Sequence, residues 1–175
     1  MEKFELSLPA SLTFVGDIIV TDPCYFIPRN IWEELCDAWY DTPELSKYAE
    51  QGIITFNSGV KVLYTVTAHG DGEYPIYLER GNGESVHADS TGVDAGMIAV
   101  ISVDDVRKLN PKFNVNDDQY PRINDFEGII KADGKGNLTG DIEVNTQEEP
   151  IEPWDDDLDF NWDQQDRFPD YEDDM

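Results

Sequence analysis

Gly52-Ile53-Ile54-Thr55-Phe56-Asn57-Ser58-Gly59-Val60-Lys61-Val62-Leu63-Tyr64-Thr65-Val66-Thr67-Ala68-His69 reads as two strands around a tight turn. The flanking runs are rich in β-branched and aromatic residues, and Asn57-Ser58-Gly59 supplies residues that tolerate positive φ. The pattern continues in both directions. Phe4 to Leu8, Leu12 to Val20, Tyr74 to Glu79, Ser85 to Asp89 and Met97 to Val103 also read as strands. Gly70-Asp71-Gly72 and Gly81-Asn82-Gly83 sit where further hairpins would turn. A late pair, Phe126 to Ala132 and Leu138 to Val144, flanks Asp133-Gly134-Lys135-Gly136-Asn137. The expected fold class is α+β, a mostly antiparallel twisted β-sheet or sandwich with one to three short helices and an acidic C-terminal segment.

The helices interrupt this alternation. Between Pro28 and Tyr40, residues Ile31, Trp32, Leu35, Cys36 and Trp39 recur at steps of three and four, which predicts an amphipathic helix lying across the sheet. Glu33, Glu34 and Asp37 fall on its other face. Thr42-Pro43-Glu44 starts a second short helix through Tyr48. Val103-Asp104-Asp105-Val106-Arg107-Lys108-Leu109 predicts a third, with carboxylates at its positive end and cations at the other. Residues 110 to 125, dense in Asn, Asp and Pro, read as an irregular surface loop.

Charge is the outlier. The 175 residues hold 38 Asp and Glu against 12 Lys and Arg, a formal net of −26. The excess is uneven, because residues 141–175 contain 15 acidic residues and one basic residue, Arg167. A surface this negative repels DNA, RNA and anionic membranes and attracts cationic partners. Nucleic-acid-binding proteins are the expected partner class, with no direct nucleic-acid binding by this chain. Halophilic adaptation would spread the acid evenly. The longest apolar runs are a few residues, so neither a membrane span nor a secretory leader is expected. Cys24 and Cys36 have no metal-type spacing, which points to a reducing cytoplasm and to no cofactor or metal.

The sequence divides at 1–145, a globular α+β domain, and 146–175, an acidic aromatic segment. Trp154, Phe160 and Trp162 are threaded through Asp155, Asp156, Asp157, Asp159, Asp163, Asp166, Asp170, Glu172, Asp173 and Asp174. A purely solvated tail needs no such rings. Carboxylates can stand in for phosphates against a basic groove, with the rings as anchors, and this set forms the candidate partner-binding site. A solvated charge run and a docking peptide like those of single-strand-binding proteins are the competing readings.

Catalytic chemistry has little to work with. His69 and His87 are the two histidines, and neither stands in a nucleophile or metal spacing. Thr21-Asp22-Pro23 most simply caps a turn. The functional alternative gathers Asp22, Cys24, Tyr25, Tyr74 and Asp94 into a pocket, with Asp71 nearby. No Gly-rich phosphate cradle precedes a helix.

Asp22-Pro23-Cys24-Tyr25, Gly70-Asp71-Gly72-Glu73-Tyr74-Pro75-Ile76-Tyr77 and Val93-Asp94-Ala95-Gly96-Met97-Ile98-Ala99-Val100 resemble a widespread family of uncharacterised phage and bacterial proteins. The resemblance implies a compact β-rich domain in a phage or host bacterial cytoplasm, with no activity attached. The acidic segment and residues 104–145 fall outside it. General likeness to acidic phage inhibitors that mimic DNA adds an expected function: occupying the nucleic-acid surface of a host defence or DNA-processing protein. The alternatives are a small-molecule-binding or hydrolytic domain with a pocket near Asp22, Cys24 and Asp94, and a virion structural or assembly protein.

Overall fold

Alternation of apolar side chains builds two antiparallel sheets in the computed structural model, which describes residues 3–79 and 84–147. The strands are β1 (Phe4–Ser7), β2 (Ser11–Thr21), β3 (Gln51–Phe56), β4 (Lys61–Val66), β5 (Gly72–Glu79), β6 (Ser85–Val93), β7 (Met97–Ser102), β8 (Arg122–Ala132), β9 (Leu138–Gly140) and β10 (Ile142–Glu143). Helix α1 spans Arg29–Tyr40 and α2 spans Val103–Leu109, with 3-10 turns at Pro23–Tyr25 and Pro43–Tyr48. The larger sheet has the order β1-β3-β4-β7-β2-β8-β9, and the smaller β10-β5-β6. The fold is α+β and mostly antiparallel.

The seven-stranded sheet is buried on both faces at its centre, and its sequence shows why. In β7, Ile98 and Val100 point into the core shared with the smaller sheet, while Met97, Ala99 and Ile101 point toward α1. β4 divides likewise, Leu63 to one side and Val62 and Tyr64 to the other. Strands covered on both faces read as near-continuous apolar runs. Tyr74, Ile76, Val93 and Ile142 cover the first face, and Ile31, Leu35 and Trp39 of α1 cover the second. Each large apolar side chain fully buried this way contributes roughly 1.5–3 kcal/mol.

Helix α1 crosses the sheet as its periodicity predicts, although Trp32 and Cys36 are half-buried at its flank. Trp39 is fixed at the sheet by donation from its Nε1 to the Tyr64 hydroxyl at 3.2 Å. Helix α2 has the predicted bounds, with Ser102 capping it by accepting from Asp105 N at 3.1 Å.

Turn chemistry foretold reversals better than it foretold partners. Asn57-Ser58-Gly59 closes the β3–β4 hairpin through Phe56 N to Val60 O at 2.9 Å. Gly70-Asp71-Gly72, expected as a hairpin turn, instead carries the chain from β4 into the second sheet. The Gly70 carbonyl is drawn inward there, accepting from Thr67 Oγ1 at 2.7 Å and from the Tyr74 hydroxyl at 2.9 Å. β5 and β6 do pair antiparallel, while residues 81–83 lie outside the described residues.

Two further expectations are corrected. The single strand expected from Leu138 to Val144 breaks at Asp141, so that β9 pairs with β8 and β10 with β5. Asp141 takes the Ile129 N–H on its own carboxylate at 2.8 Å, ending that ladder. The loop read over 110–125 stops at Pro121, because Arg122 already pairs with Ile19 in β8. Its remainder is the irregular, largely exposed loop expected, pinned by a few side chains: Val115 is buried, and the Phe113 ring contacts Phe26 at 6.3 Å and Tyr120 at 4.7 Å. Thr146, the first residue past the expected boundary, is fully buried. Among the described residues, no helix is long and apolar enough to cross a membrane.

Candidate functional site

Asp22 leaves the end of β2 with its side chain completely buried. A buried carboxylate needs compensating donors, and three backbone N–H groups supply them. Cys24 N donates to Oδ1 at 3.0 Å, while Asp94 N and Ala95 N donate to Oδ2 at 2.9 and 2.5 Å. Asp22 thus caps the Pro23–Tyr25 turn and ties it to the β6–β7 connection. That connection bends through Gly96 at φ 74°, a left-handed conformation suited to glycine. Tyr25 closes the cluster by donating its hydroxyl to Asp94 Oδ2.

Four of the five pocket residues expected from sequence therefore meet: Asp22, Cys24, Tyr25 and Asp94. Tyr74 does not line an opening. It is fully buried between the sheets and directs its hydroxyl to the Gly70 carbonyl. Asp71 acts on both Cys24 and Tyr74 through its charge.

Electrostatics decides what this cluster can do. Burial, reinforced by the Asp22 carboxylate, pushes the Cys24 thiol up to about 12, so it stays protonated at neutral pH. Burial also raises the Tyr25 phenol, helped by its bond to Asp94. Neither group is an activated nucleophile. His69 Nε2 lies 2.7 Å from the Gln147 carbonyl, and the His87 ring packs against Tyr77 at 5.5 Å. With its lone pairs directed at three N–H donors, Asp22 is a structural clamp. Among the described residues, no three His, Cys, Asp or Glu side chains converge to hold a metal ion.

The clefts lie beside this cluster. One of about 690 Å³ runs along the flank of α1 and is lined by Cys24, Ile27, Trp32, Glu33, Cys36 and Asp37 among others. Cys24 alone connects it to the expected pocket. Trp32 and Cys36 were legible as helical residues but not as cleft residues, because periodicity does not reveal where a packed face ends. A second cleft, of about 430 Å³, brings Asp89 of β6 together with Asp117 and Asp118. Proximity across 28 residues of sequence leaves no local pattern to read.

A polar network anchors the end of the described chain. Asn137 accepts from Thr146 N at 2.9 Å and donates to Asp133 Oδ2 at 2.9 Å and Gln147 Oε1 at 2.8 Å. Thr146 Oγ1 donates to the Gly136 carbonyl and accepts from Ala68 N at 2.9 Å. Residues 144–147 are thus held against Ala68 and His69, just past β4, and the Asp133–Asn137 loop. Asp133-x-Lys135-x-Asn137 was a readable turn signal, since the Asp133 side chain accepts from Lys135 N and Asn137 N at 2.8 and 3.2 Å.

The expected partner-binding residues, from Trp154 through Asp174, lie outside the described residues. Compared with protein-family models, curated proteins and solved structures, the chain gives no significant match.

Proposed function

We propose that this protein is an acidic inhibitor that binds a basic nucleic-acid-binding protein, of a host defence or DNA-processing system, by presenting carboxylates in place of phosphates. The observation that carries this reading is the charge pattern, 13 carboxylates and one arginine over residues 148–175 within a chain of net −26. Trp154, Phe160 and Trp162 supply anchors among those charges. The Thr146 and Gln147 hydrogen bonds support it further, because they root the segment at one place on a folded body. A fixed root raises the local concentration of carboxylates near any partner already touching the domain.

The test is affinity capture from nuclease-treated bacterial lysate. Full-length protein is compared with a variant in which Asp155, Asp156, Asp157, Asp159 and Asp163 are changed to Asn. The expected result is a nucleic-acid-binding protein retained by the native chain at low salt, released at high salt and lost with the variant. Equal capture by both chains would remove the acidic segment from the account. The α1 cleft favours a second reading, a small-molecule-binding domain. A native mass spectrum carrying a bound ligand, lost on Trp32→Ala, would support it.

A further inference from the structure

We infer that the outer edge of β6, with the acidic cleft beside it, docks an extended cationic segment of a partner protein by strand addition. This rests on the reading of a basic partner but places a contact on the folded domain. Among the described residues, β6 has a neighbouring strand on one side only. Such an edge offers unpaired N–H and C=O groups to another chain.

Edges are normally guarded by lysine, proline or short length. β6 is nine residues long and has neither Lys nor Pro. Its local guards are the bulge at Ala88 and Asp89, whose Oδ1 accepts the adjacent Ser90 N–H at 2.8 Å, and they leave Ser85 to His87 open. Residues Ser85 to Asp89 are all exposed, Val86 among them at 39%. A register shift opposite Ile76 and Tyr77 leaves Ala88 as an extra, bulged residue, so the regular ladder runs from Ser85 to His87, roughly 10 Å at about 3.3 Å per residue.

The cleft next to it supplies charge selection. Asp89, Asp117 and Asp118 line it together with Arg122. The Arg122 guanidinium is already engaged, by Asp17 at 2.7 Å, Asn116 at 2.9 Å and Asn124 at 3.0 Å. The ion pairs within 4.0 Å among the described residues include none made by Asp89, Asp117 or Asp118. A second copy of this chain would bring a net charge of −26 against −26, and nucleic acid would be repelled likewise. An extended peptide with Lys or Arg at alternate positions fits both features, its backbone on β6 and its cations toward the cleft.

The test uses the full-length protein and two probes of equal charge, a ten-residue alternating Lys-Val peptide and a Lys-Pro peptide that cannot complete a ladder. Amide exchange at β6 and peptide affinity are read at low salt. The Lys-Val peptide is expected to slow exchange across Ser85 to His87 and to bind about tenfold tighter than Lys-Pro. Asp117→Asn with Asp118→Asn is expected to weaken it about tenfold. Binding with unchanged β6 exchange and unchanged affinity in the Asn variant overturns this inference and leaves the basic-partner reading standing. Failure of both peptides to bind overturns this inference alone, because the basic-partner reading rests on residues 148–175 and is decided by the capture experiment.

Discussion

Replacing Asp22 by Asn keeps the size of the side chain but sets an amide donor against backbone N–H groups it must accept from. One buried donor is then left unpaired, at a cost of about 2–3 kcal/mol, measurable as a lower urea midpoint. Thr91 makes the opposite case. Its hydroxyl is buried with no hydrogen-bond partner among the described residues, so Thr91→Val is expected to stabilise the fold by about 1 kcal/mol in the same assay. Cys24 offers a kinetic readout. With its thiol pushed from 9.0 up to about 12, alkylation at pH 8 is expected to run more than about tenfold slower than that of a free thiol, the lost thiolate fraction outweighing its greater nucleophilicity. The sign for stability follows: the contribution is fully present below pH 9.0 and fades as pH rises toward about 12. Asp17 behaves in the opposite sense. Donation from Arg122 and from Asp125 N lowers its pKa, so its contribution holds above the ordinary value of 3.8 and is lost as pH falls through the lower folded value. Asp17→Asn should therefore flatten the acid limb of a stability–pH curve. At this scale Asp22, Cys24 and Tyr25 could be grouped from sequence, because strand end, acid and proline are adjacent at Thr21-Asp22-Pro23, while the expected place of Tyr74 beside them is not found. It could not show that the cluster is closed, since the N–H donors come from Asp94 and Ala95, over 70 positions away.

Among the elements, those governed by local periodicity were legible and those governed by distant pairing were not. Both α-helices and the β3–β4 hairpin announce themselves through spacing and turn residues. The path from β4 through Gly70–Gly72 into a second sheet depends on Tyr74 and Ile76 finding cover against β2, β4 and β7, which no local signal encodes. The division of β9 from β10 at Asp141 has the same origin. The loop that carries Asn137 provides the sharpest element-scale prediction. Gly136 sits at φ 94°, and an added Cβ would lie 2.8 Å from both Ala68 N and Thr146 Oγ1. Gly136→Ala therefore strains the backbone and spreads the network that holds residues 144–147. A loss of about 2–4 kcal/mol is expected, with faster proteolytic cleavage next to Gln147.

For the whole molecule, self-repulsion is the governing term. A net of −26 on 175 residues opposes compaction, so the melting temperature should rise by several degrees when about 0.5 M salt screens the charges. The same salt should weaken partner binding. Composition made that opposition readable from the start, in the 15 acidic residues and one basic residue of positions 141–175. Occupation of a partner's nucleic-acid-binding surface is measured by titrating the full-length protein into a captured partner preloaded with fluorescent nucleic acid, at low and high salt. Stoichiometric displacement is expected at low salt, fading as salt rises. A ternary complex, with nucleic acid retained at saturating protein, would contradict it.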